Sequence, residues 1–107
     1  MNKKFKQFKN ECLRLQKKWG LSSWKLYFRD MELKDCFASI NTSIDGYVAN
    51  VMYDSSQEMS NPKENAKHEM IHLVLSRMSS LARSRDMREE ELYSAEEEVV
   101  RILEKLL

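Results

Sequence analysis

Both histidines of this 107-residue chain fall in one five-residue stretch, His68-Glu69-Met70-Ile71-His72. An α-helix stacks residues four apart on one face, so a helix through this stretch carries the two imidazoles one above the other. From Met70 to Leu75 the same helix is apolar on nearly every side, the mark of a helix that runs through a core. Two imidazoles in such a place need partners. Stacked four apart they can grip one metal ion while Glu69 presents a carboxylate to the ion's bound water, which is the spacing of a catalytic zinc site. The competing reading is two polar residues on the edge of a core helix.

The flanking sequence supports a helix. Asn61-Pro62-Lys63-Glu64 supplies an Asn cap, Pro at the first helical position and Glu at the third for a capping box. The helix is expected to end near Arg83 to Arg85. Asp86-Met87-Arg88-Glu89 then gives a second cap signature for a last helix reaching Leu107. Upstream, Phe5, Phe8, Cys12, Leu15 and Trp19 recur at spacings of three and four, one apolar helix face that Gly20 ends.

Between these helices, Trp24, Leu26 and Phe28 alternate with Lys25, Tyr27 and Arg29, the period of a strand. A second strand is expected from about Cys36 to Ile44 and a third from about Tyr47 to Tyr53. Asp45-Gly46 suits a two-residue hairpin turn between them, and the sheet is expected to have an exposed edge. Ser55 to Ser60 reads as a loop. The order defines an α+β chain: N-terminal helix, small three-stranded sheet, histidine helix, C-terminal helix. At this length it forms one domain, residues 1–107.

Charge narrows the partners. Charged residues make up 33% of the chain, yet the net charge is only +1, which argues against a nucleic-acid partner or a membrane surface. Residues 1–19 carry seven basic residues against Glu11, and residues 86–107 carry eight acidic against three basic. Two solvated helix faces of opposite sign lying near each other account for this, with a nucleic-acid arm at the N-terminus as the alternative. Cys12 and Cys36 form no CxxC pair and are flanked by apolar residues, so both read as buried thiols in a reducing compartment; a thiol that blocks zinc is the other use. No apolar run approaches the roughly 18 residues that span a bilayer, and the lysine-rich start lacks the apolar stretch of a signal peptide. The expected location is the cytoplasm. Met52, Met59, Met70 and Met78 read as packing residues.

With no third histidine, the remaining zinc ligand is a carboxylate or a thiol. If the last two helices pack antiparallel about a turn near Arg85, the shared 1.5 Å rise sets His72 beside about position 98 and His68 beside about 102. Glu89, Glu90 and Glu91 fall too near the turn. Val100, Leu103 and Leu107 mark the buried face, and rotation of about 100° per residue puts Glu96 within it, Glu97 at its edge and Glu98 away from it. Glu96 and Glu97 remain, with Glu98 and Glu104 read as solvated.

His68-Glu69-x-x-His72 followed after about 25 residues by a helical Glu, in this order of elements, resembles the gluzincin branch of the zincin metallopeptidases. In size the chain is similar to the minigluzincins and to the small zincin-like metallopeptidases of phages and prophages. Glutamate helices of that family tend to carry apolar residues two, five and six positions after the ligand, as Val99, Ile102 and Leu103 stand to Glu97. The resemblance thus favours Glu97 and face centring favours Glu96; Glu97 is chosen because a ligand lines a cleft. The chain departs from the larger gluzincins in lacking an Asn-Glu pair before the helix, and it has little tail beyond its last helix to block a cleft.

The resemblance implies a minimal zincin-like fold and a Zn2+-dependent peptidase acting on a peptide or protein substrate. His68, His72 and Glu97 would be its ligands and Glu69 its general base. It further implies an extended substrate along an edge strand, for which Tyr47 to Tyr53 is the candidate. Tyr93, one turn before Glu97, is the candidate oxyanion donor, the alternative being a core aromatic. The second function class is a non-catalytic zinc-binding module of the same fold, an interaction or regulatory protein of a mobile element. Glu69 separates the two, since a structural site has no use for a carboxylate beside the water.

Overall fold

In the computed structural model, which describes residues 2–43, 45–83 and 88–107, the first helix, α1 (Lys3–Lys18), is set by local chemistry at both ends. The Asn2 side chain accepts from the backbone N–H groups of Lys4 and Phe5 at 2.8 and 3.3 Å. At the other end Gly20 takes φ +70°, where a side chain would be strained. That turn lets Leu21 N–H reach the Gln16 carbonyl (2.9 Å) and Gly20 N–H reach that of Lys17 (3.3 Å), which closes the helix. Phe5, Phe8, Cys12 and Leu15 are buried along one stripe. Phe8 stacks on Tyr53 at 4.5 Å between ring centroids, and its burial contributes about 1.5–3 kcal/mol.

The strands are β1 (Lys25–Asp30), β2 (Ala38–Ser43) and β3 (Val48–Tyr53). They pair in the order β1-β3-β2, β1 parallel and β2 antiparallel to β3. This corrects one expectation: the segment Tyr47 to Tyr53 supplies the central strand, and β1 and β2 are the edges, of which β2 lies against α2. The physical reason lies in the side chains. Ala49, Val51 and Tyr53 of β3 are fully buried, whereas Asn41, Thr42 and Ser43 of β2 face solvent. The hairpin differs too. Ser43 pairs with Val48, so four residues connect the strands, and the left-handed conformation falls on Tyr47 (φ 51°). An edge-on contact with Trp24 at 5.2 Å holds the Tyr47 ring there.

After β3 the chain is tied to its neighbours before it enters α2 (Pro62–Arg83). Lys4 Nζ donates to the carbonyls of Gln57, Glu58 and Ser60, and the Tyr53 and Ser60 hydroxyls bond at 2.8 Å. Asn61 Oδ1 then accepts from Glu64 N–H at 3.2 Å. Asp54 serves as the knot of the preceding loop. It accepts from Leu33 N–H, from the backbone and hydroxyl of Ser56, and from Gln57 Nε2, which also donates to the Cys36 carbonyl. These bonds hold the Asp54 carboxyl well below the usual carboxylate range, the Ser56 hydroxyl foremost, with Leu33 and Gln57 adding to it. A depressed folded-state pKa means that the stabilisation is complete above the unfolded value of about 4 and is lost as pH falls toward the folded one. Asp54→Asn is therefore expected to lower the urea midpoint at pH 6, with the gap to wild type narrowing by pH 3. A gap independent of pH would show that the carboxylate charge is not what matters.

The main hydrophobic cluster lies between α1, the sheet and one side of α2, where Ala66, Met70 and Leu73 are buried. α3 (Glu89–Leu106) packs on another side of α2. Its N-cap position is Arg88, with no side-chain cap bond, so Glu89 is the first helical residue and not the third; Asp86 lies outside the described residues. α2 is not covered all round. Val74, Met78 and Leu81 are exposed, and so is Met59, so Met59 and Met78 are not packing residues. Of the three residues expected on the buried face of α3, Val100 is buried, Leu103 is half-buried and Leu107 is exposed. Among the described residues, no helix is long and apolar enough to cross a membrane.

Candidate metal centre

His68, Glu69 and His72 lie two to three turns inside α2, whose start is fixed by Asn61 and Pro62. The imidazoles stand one turn apart, with ring centroids 5.0 Å from each other. Each ring is held by a carboxylate of α3. His68 Nδ1 lies 2.7 Å from Glu104 Oε1, and His72 Nδ1 lies 2.7 Å from Glu96 Oε2. The second oxygen of Glu96 accepts from the Ser79 hydroxyl. A neutral ring that donates from Nδ1 keeps its lone pair on Nε2, so both rings turn Nε2 toward the same place.

Glu97 occupies that place. Its Oε1 is 2.6 Å from His72 Nε2 and its Oε2 is 3.7 Å from His68 Nε2. A lone pair and a carboxylate at 2.6 Å repel unless a proton lies between them, and a metal ion bound by both would hold them farther apart. One ligand atom from each of His68, His72 and Glu97 fits within 4.8 Å of the others. Zinc held at about 2.1 Å by three corners of a tetrahedron sets its donors about 3.4 Å apart, so these side chains need only small shifts to take it. Two nitrogens and one carboxylate oxygen, with a fourth position open, are a donor set that zinc accepts.

Glu69 stands outside the ligand group, is buried, and lines two cavities. Burial pushes its carboxyl above the ordinary range, the two imidazoles pull it back, and Glu97 and Glu104 raise it again. A cleft of about 650 Å³ on one side is lined by Ile40 and Thr42 of β2 together with His68, His72, Glu97 and Tyr93. The other cavity, about 540 Å³, is bounded by Cys36, Phe37, Asn65 and Glu104. Tyr93 is exposed at the cleft wall, which excludes its reading as a core aromatic.

Three sequence readings change here. Glu104, read as solvated, is half-buried against His68. It lies seven residues, two turns, beyond Glu97 on the same face, a spacing the sequence carried. Glu96 is not in the three-residue group and instead holds His72 from behind. Cys36 is an exposed thiol in the segment before β2. It lines both cavities but stands outside the group of His68, His72 and Glu97. Cys12 is buried as expected, and burial pushes its thiol far above the ordinary range, Glu69 and Glu11 adding to the effect. Glu98 is exposed, as expected.

Comparison of the chain with protein-family models, with curated proteins and with solved structures finds no match.

Proposed function

We propose that this chain is a zinc-dependent metallopeptidase of the gluzincin type. The observation that carries the reading is the convergence of both Nε2 atoms on Glu97, with Glu69 buried beside them and outside the ligand group. A zinc ion held by His68, His72 and Glu97 would supply a Lewis acid for the scissile carbonyl and lower the pKa of a water toward about 7.

The chain's own residues do the rest. Glu69 takes the proton of the attacking water and passes it to the leaving amine. As an edge strand, β2 leaves backbone N–H and C=O groups unpaired on its outer side, and its residues from Ala38 to Thr42 line the cleft. An extended peptide can add there as a further strand, its reacting carbonyl brought over His68 and His72. Tyr93 stands on the opposite wall as a hydroxyl donor for the developing oxyanion. Digestion of a peptide library read by mass spectrometry tests the proposal. Cleavage that a chelator stops and zinc restores is expected; cleavage indifferent to chelator belongs to a contaminant and removes the support.

A further inference from the structure

α3 is joined to the rest of the fold in an unusual way. It packs on α2 and, among the described residues, contributes none of the side chains of the main hydrophobic cluster. Of its described apolar side chains Leu92 and Val100 are buried and Leu103 is half-buried, while Val99 and Ile102 are exposed. Against this thin apolar joint stand the polar contacts to the two imidazoles, made by Glu96, Glu97 and Glu104 from one face of the helix. An 18-residue helix is marginal by itself, so α3 depends on what it docks against.

We propose that Glu96 and Glu104 are positioning residues for the metal, and that through them and Glu97 the metal itself docks α3 onto α2. The inference rests on the metal-centre reading above but not on peptidase activity. Each Nδ1–carboxylate contact fixes the ring's tautomer and direction and makes Nε2 a better ligand. Bound metal then joins two nitrogens of α2 to one oxygen of α3. Because metal binds the docked helix and not the free one, binding energy becomes docking energy for α3. Without metal, the three carboxylates crowd two imidazoles, and among the described residues of α3 the apolar joint rests on Leu92, Val100 and Leu103.

Two readouts on the full-length chain test this. In hydrogen exchange followed by mass spectrometry, zinc at about one hundred times its dissociation constant should slow exchange of residues 89–106 by up to about one hundredfold. Exchange in α1 and the three strands should be unchanged. In zinc titrations, Glu104→Ala and Glu96→Ala should each weaken binding by about tenfold to one hundredfold. Glu104→Gln, which keeps an acceptor for His68 Nδ1, should lose less than Glu104→Ala. A helix that merely lost surface charge would treat the two Glu104 variants alike. Zinc bound tightly with exchange of α3 unchanged, or with all elements protected together, would overturn the docking claim and leave the metal centre standing. No zinc bound at all would sink both.

Discussion

Glu69→Gln is expected to retain zinc and fold as the wild type does, while peptidase activity falls at least about one hundredfold, the low end of what a general base contributes. The reasoning is geometric. Glu69 is one residue from His68, so it points about 100° around α2 and stands outside the group formed by His68, His72 and Glu97. It is buried, and burial disfavours its charged form, so a neutral side chain of the same shape costs the fold little. What the amide cannot do is accept a proton. The comparison is made on zinc-loaded proteins with matched peptide substrates, and equal activity of the two would assign the site to binding and not to catalysis. A weaker zinc affinity in Glu69→Gln would place Glu69 among the ligands instead.

The second large effect concerns the ligands. His72→Ala is expected to lower zinc affinity by more than about one hundredfold, beyond the range typical of residues that only orient a ligand. His68→Ala and Glu97→Ala should match it, since each removes one of three protein donors. Glu96→Ala should fall clearly short of them, because its carboxylate touches Nδ1 of His72 and not the converging Nε2 atoms. Competition with a chromophoric chelator measures all four. Should Glu96→Ala release the metal while Glu97→Ala retains it, the assignment of the third ligand is reversed and the antiparallel packing of α2 and α3 stands.

Where the local backbone decides, the sequence was legible. Asn61-Pro62 opens α2, Gly20 closes α1 and the apolar stripe from Phe5 to Leu15 is buried, because caps, fixed φ and helical period act within a few residues. The resemblance puts an edge at Tyr47 to Tyr53, but which strand lies at an edge is decided by tertiary burial, and the buried Ala49, Val51 and Tyr53 make this strand the centre. A sharper look at composition points the right way: Ser39, Asn41, Thr42 and Ser43 make β2 the more polar strand, suited to an edge. Glu104 was missed for a different reason. His68 lies level with about position 102, and two turns beyond Glu97 bring position 104 back to the same face, so direction and level together, and not level alone, select Glu104. The tight Glu69-containing motif needed no such help, since five residues on one helix fix their own geometry.

The open faces follow from the same limits. A run such as Met70 to Leu75 shows that a helix is apolar, not which of its sides a small chain can cover. With α1 and the sheet on one side and α3 on another, Val74 and Met78 are left exposed. The Cys36 thiol is likewise exposed although its neighbours Phe37 and Ala38 are half-buried and buried, since flanking apolar residues do not fix which side chain of a connecting segment is covered.

Calorimetric titration of the metal-free protein with zinc tests the metal centre most directly. The geometry of His68, His72 and Glu97 predicts one tight site per chain, with protons that the ion displaces from its ligands released to the buffer. Uptake of less than about a tenth of an equivalent under zinc-replete conditions would contradict it.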